Sequence, residues 1–113
     1  MTVTNFITAA ILAASLSSPT LASENYFTGN TLKEYCNAPA NQNYGQGMCL
    51  GFTMGIWFGT TEKTCVPEGV TSGQLAAVVT KYMNDHPELL HEQARDIVFT
   101  ALFEAFPCKE GDQ

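Results

Sequence analysis

The sequence predicts an all-α fold, a small disulfide-stapled bundle of four helices, and three observations predict it. Apolar residues recur at the helical spacing of three and four from Leu75 to Met83 and from Leu90 to Ala105, and no segment alternates as a half-buried strand does. Pro39, Pro67, Pro87 and Pro107 stand where a helix must stop or has not yet begun. The four cysteines, Cys36, Cys49, Cys65 and Cys108, fall at or close to the expected helix ends.

A chain of 113 residues allows one domain at most, and its first part reads as a leader. Phe6 to Leu16 is an apolar run that gives way to Ser17-Ser18-Pro19 and then Thr20-Leu21-Ala22, the pattern of a secretory signal peptide over residues 1–22 cut after Ala22. No Lys or Arg precedes the run, so the terminal amine alone supplies positive charge there. No cysteine stands at the cut, so a lipoprotein anchor is not indicated. The mature domain is then 23–113, periplasmic, and it carries all eleven acidic and five basic residues, hence the whole net charge of −6. Such acidity without a basic run excludes nucleic acid and anionic membrane surfaces as partners. Proteins or cationic small molecules remain. At this size burial alone leaves only a few kcal/mol of net stability, so a covalent staple is expected.

Thr31-Leu-Lys-Glu34 fits a capping box at the start of a short first helix with Leu32, Tyr35 and Cys36 on one face, preceded by a loose lead-in from Ser23 to Asn30. Asn43, with Gln46 three residues on, is placed to cap the second helix. That helix, Gly47 to Gly59, is apolar on nearly every side, which predicts a buried hub. Its glycines recur every fourth residue at Gly47, Gly51, Gly55 and Gly59 and form one smooth stripe. Each interior glycine costs roughly 0.5–1 kcal/mol relative to alanine, a cost that is tolerable where another backbone comes close. Either a neighbouring helix of the same chain or a second copy meets that need. The apolar run is well short of the ~20 residues that cross a bilayer. Val66-Pro67-Glu68-Gly69 suits a type I turn with glycine fourth. Thr71 and Gln74 then form a capping box, with Val70 and Leu75 as a hydrophobic staple. The third helix points Leu75, Val78, Val79, Tyr82 and Met83 inward and Lys81, Asn84 and Asp85 to water. The fourth starts near Pro87 or Glu88, carries Leu90, Ala94, Ile97, Val98, Ala101, Leu102 and Ala105 on one face, and gains width from Phe99, Phe103 and Phe106.

In an up-down bundle Cys36 and Cys49 meet at one end, and Cys65 and Cys108, which follow the second and fourth helices, meet at the other. The expected pairs are therefore Cys36–Cys49 and Cys65–Cys108, worth about 3 and about 4 kcal/mol as upper figures in the chain-entropy model. A zinc site or a Cys-His nucleophile is the rival reading, but no C-x-x-C occurs and His86 and His91, five apart, do not share a helix face. Glu68 reads as a solvated turn carboxylate and Trp57 as core. No triad, phosphate loop or carboxylate pair stands out, so neither catalysis, a cofactor nor a metal is expected.

Four blocks carry a resemblance: Cys49-Leu-Gly-Phe-Thr-Met-Gly55, Cys65-Val-Pro-Glu-Gly-Val-Thr-Ser-Gly-Gln-Leu75, Val79-Thr-Lys-Tyr-Met-Asn-Asp-His-Pro-Glu88 and Ala105-Phe-Pro-Cys108. In order and spacing they resemble the Rap/Tai family of type VI secretion amidase immunity proteins. The resemblance implies a periplasmic helical protein, often a homodimer, that binds a cognate peptidoglycan amidase effector and blocks its catalytic cleft. Two other classes suit a small acidic helical protein: an acid-stress chaperone similar to the HdeA type, and a carrier whose Met and Phe residues enclose an apolar ligand. The stiff, polar connection Asn84-Asp-His-Pro-Glu88 is the expected plug, with Asp85, His86, Glu88 and His91 as partner-binding residues.

Overall fold

A computed structural model describes residues 27–110, so the expected signal peptide and the start of the mature chain lie outside the described residues. The elements are α1 (Gly29–Cys36), α2 (Asn43–Gly59), α3 (Ser72–Asp85), a 3₁₀ turn (Pro87–Leu89) and α4 (Ala94–Ala105). This is the expected all-α, four-helix architecture. Among the described residues the only extended pairings are isolated bridges, Thr28 with Gln93 and Thr64 with Pro107.

The core belongs to α3 and α4, with Leu32 of α1 set into it. Leu75, Val79 and Met83 face Leu90, Ala94, Ile97, Val98, Ala101 and Leu102, all buried. Each large aliphatic side chain so buried contributes about 1.5–3 kcal/mol. These are the residues that the helical spacing selects. Ala105, expected among them, is exposed, and so is Phe103.

The hub expectation is overturned. In α2 only Gly45, Cys49 and Thr53 are buried, and a Cβ built at Gly47, Gly51, Gly55 or Gly59 would meet nothing within 4 Å. Among the described residues nothing lies over the stripe, so none of α1, α3 and α4 uses it. A uniformly apolar sequence has no period to orient it, and α2 lies on the bundle with one side covered. Backbones do approach at two other glycines. At Gly45 a Cβ would come 2.7 Å from Ala38 Cβ, and at Gly29 it would run into Ile97 and the Leu90 backbone.

Several boundaries shift for local reasons. Thr28, not Thr31, caps α1, its hydroxyl accepting from the Thr31 N–H, so the helix begins at Gly29, within the stretch expected as a loose lead-in. Asn43 lies inside α2, which has no side-chain cap; Gln46 instead donates to the Ala38 carbonyl and fixes the α1–α2 connection. Thr71 caps α3 as expected, accepting from the Gln74 N–H at 3.1 Å. The preceding turn is one residue later than expected: Val70 N–H donates to Pro67 O, and Gly69, third in the turn, has φ +90°. A positive φ at that position defines a type II turn and explains the glycine. The α4 start moves from Pro87 to Ala94, because Pro87 opens a separate 3₁₀ turn that ends before His91.

Both expected disulfides are present, Cys36–Cys49 and Cys65–Cys108, each with a Cα–Cα distance of 4.9 Å. The second is prepared by the backbone: Thr64 pairs with Pro107, and the Cys65 N–H donates to Phe106 O at 3.0 Å. No described helix is long and apolar enough to cross a membrane.

Candidate functional site

The connection between α3 and α4 is polar at its surface and anchored beneath. Tyr82 and His86 are one helical turn apart, and their rings stack at 4.1 Å. His86 Nδ1 lies 2.8 Å from the Tyr82 carbonyl oxygen; because a carbonyl only accepts, the ring donates from Nδ1. His86 is therefore half-buried and structural in part, which differs from the exposed turn residue that its sequence position suggests. The Lys81 ammonium pairs with Asp85, and this hydrogen bond holds the Asp85 carboxyl below the ordinary carboxylate range.

The next residues are pinned from below by the segment that opens α1. Asn30 N–H donates to Leu90 O at 2.8 Å, Gly29 N–H to Glu92 O at 2.9 Å, and Ala94 N–H to Phe27 O at 2.8 Å. With Leu90 buried as the apolar anchor, Glu88, His91 and Glu92 are left exposed on a preordered loop. The close approach at Gly29 is what lets these backbone bonds form, since a side chain there would strike the Leu90 backbone. At the other end of α1, Asn37 and Asn84 exchange amide hydrogen bonds of 3.2 and 3.3 Å, which ties the last turn of α3 in place.

Asp85, His86, Glu88 and His91 thus occupy one connection, although only Asp85, Glu88 and His91 face water; His86 turns back onto Tyr82. Sequence reasoning missed three acidic or phenolic participants. Burial raises the Tyr82 phenol above its ordinary value, and the carboxylates of Glu104, Glu88 and Glu92 push it the same way. The i, i+4 spacing of Tyr82 and His86 was the available signal for the stacked pair. For Glu104 there was none, because it comes from α4.

A groove of about 350 Å³ between α3 and α4 opens beside this connection, with Val78, Tyr82, Ala101 and Ala105 among its walls and Glu104 at its edge. A broader groove of about 670 Å³ runs between α2 and α3, past Leu50, Ala76, Thr80 and the Cys36–Cys49 bridge. Among the described residues no group of three His, Cys, Asp or Glu side chains is placed to hold a metal ion.

The family model of Rap1a immunity proteins matches residues 28–108. The chain belongs to that family. The matched span begins at the Thr28 cap and ends at Cys108, so it takes in all four helices and both bridges. No curated protein and no solved structure matches the chain. Membership in the Rap1a immunity family implies a role in immunity to a type VI secretion effector, exerted by binding that effector.

Proposed function

We propose that the protein is a periplasmic, non-catalytic inhibitor of a type VI secretion peptidoglycan amidase, that it acts as a homodimer, and that the α3–α4 connection is its blocking element. The observation that carries the reading is the order of that connection. Main-chain bonds with Phe27, Gly29 and Asn30 hold its second half at Leu90, Glu92 and Ala94, and His86 anchors its first half on Tyr82, so little conformational entropy remains to be lost when it enters a cleft. Asp85, Glu88 and Glu92 offer carboxylates to a basic rim, and His91 adds a donor or acceptor. An enzyme cleft is best closed by a rigid protrusion of this kind, and both disulfides suit an oxidising compartment.

The test asks whether a neighbouring gene encodes a peptidoglycan amidase, mixes the purified protein with that product and follows peptidoglycan cleavage. Asp85→Ala combined with Glu88→Ala is expected to weaken inhibition tenfold or more, about 1.4 kcal/mol, with the circular dichroism melt nearly unchanged. Inhibition equal to wild type would place the blocking surface elsewhere. Absence of any complex with the amidase would overturn the amidase reading itself.

A further inference from the structure

Helical spacing puts Ala105 on the inward face of α4, in line with Ala94, Ile97, Val98 and Ala101, yet Ala105 is exposed, and Val78, an inward position of α3, is only half-buried. What opens there is the groove of about 350 Å³, with Val78, Ala101 and Ala105 as its aliphatic walls. The stacked rings of Tyr82 and His86 line the same groove, and Glu104 stands at its edge.

Charge gives the groove a sign. Lys81 is the one ammonium on its walls, and Asp85 already holds it. Glu104 is left, and its carboxylate acts with those of Glu88 and Glu92 on the Tyr82 phenol, raising it beyond what burial does alone. A cation is attracted here and an anion repelled.

An aliphatic slot, an aromatic pair and a carboxylate together match one side chain in particular. Arginine buries its methylene stem along apolar walls, packs its guanidinium on rings and closes a two-pronged hydrogen bond on a carboxylate. Lysine matches less well, because its compact ammonium is strongly hydrated and makes no such fork. At about 350 Å³ the groove is near the lower limit of small-molecule pockets, so a side chain suits it better than a free ligand. Asp85 and His86 belong both to this groove and to the α3–α4 connection, so a partner seated on the connection also covers the groove.

We infer that the α3–α4 groove receives an arginine side chain of the effector, its stem along Val78 and Ala105 and its guanidinium on Glu104 beside the Tyr82–His86 pair. The inference rests on the inhibitory reading above and names what the surface next to the blocking element recognises, a basic residue flanking the cleft.

Calorimetric titration of the full mature protein, of Glu104→Gln and of Ala105→Leu against the amidase of the preceding test decides it. Glu104 and Ala105 are exposed, so both variants are expected to melt as wild type does. Removing the carboxylate and filling the groove are each expected to raise the dissociation constant at least tenfold, although neither residue lies in the connection. Where Ala105→Leu disturbs the melt, Glu104→Gln and the following series decide alone. Arginines on the amidase surface are changed singly to lysine, which keeps the charge and removes the fork. One of these changes is expected to weaken the wild-type complex about tenfold and to add little to Glu104→Gln, the non-additivity of groups in contact. Wild-type affinity in a groove variant that folds normally overturns the inference and leaves the inhibitory reading standing. A loss in Glu104→Gln that couples to no arginine overturns it in the same way. Absence of any complex with the amidase overturns the inhibitory reading, and the inference falls with it.

Discussion

Helices α2 and α4 are both rich in apolar residues, yet the bundle treats them differently. In α4 Ala94, Ile97, Val98, Ala101 and Leu102 lie on one face, and all five are buried. In α2 only Gly45, Cys49 and Thr53 are buried, and the Thr53 hydroxyl is enclosed without a hydrogen-bond partner. Burying such a group costs about 1–3 kcal/mol, which is a poor use of a helix meant to sit at a centre. What holds α2 is the partly buried packing of Phe52, Met54, Ile56 and Trp57 against the core, together with two covalent ties: Cys49 within it is bonded to Cys36, and Cys65 beyond it to Cys108. Periodicity, not apolar content, marks the helix that builds the core.

Truncation at matched positions should separate the two helices most sharply. Leu102 is fully buried among α3 and α4 side chains, so Leu102→Ala is expected to cost about 2–5 kcal/mol in chemical denaturation. Phe58→Ala removes a larger side chain from α2, but one that is 64% exposed, and should stay within about 0.5 kcal/mol in the monomer. Comparable losses at both sites would mean that α2 is a core helix in solution after all.

Glycine gives a smaller contrast, and it lies within α2 alone. Gly45→Ala forces a methyl group to 2.7 Å from Ala38 Cβ, a short side chain with no room to swing aside, and is expected to destabilise by about 1–3 kcal/mol. Gly55→Ala enters open space in the same helix and is expected to stabilise the dilute monomer by about 0.5–1 kcal/mol, the usual helix preference of alanine. Thermal melts of the two variants should move in opposite directions. A loss at Gly55 would reveal a contact that the isolated chain does not make.

These two glycines also mark how far the sequence was legible. Four helices, the Thr71 cap and most inward residues of α3 and α4 could be read from spacing and punctuation, because each depends on neighbours within a few turns, and both disulfide pairs followed from the up-down order of the helices. The sequence could not say which glycine is crowded, since Ala38 stands over Gly45 and solvent over Gly55 through tertiary placement. The same holds at the candidate site. Asp85, His86, Glu88 and His91 were visible as a polar, proline-stiffened connection, but the bonds that order it come from Phe27 to Asn30, a segment that reads as a loose lead-in. The family assignment was legible as well, because the order and spacing of cysteines, caps and turns lie in the sequence itself, and the family match covers residues 28–108.

The smallest effect is expected in α3, which packs between α2 and α4 and carries the Lys81–Asp85 pair on its exposed last turn. The hydrogen bond from Lys81 lowers the Asp85 carboxyl relative to the unfolded chain. A lowered folded-state value means that the unfolded state binds the proton more readily. The pair's contribution is therefore complete above the ordinary Asp value of about 3.9 and disappears as the pH falls through the folded value below it. Both side chains are exposed, so solvent and salt screen the pair and the effect on stability is slight. The Asp85 carboxyl carbon, followed by NMR, should titrate with a midpoint below about 3.9, and Lys81→Met should bring that midpoint back toward it. Asp85→Asn should lower the denaturation midpoint slightly at pH 7 and not at all at a pH well below the folded value. An unchanged midpoint in Lys81→Met would show that the ammonium does not hold Asp85, and that the last turn of α3 is fixed by the Asn37–Asn84 amides alone.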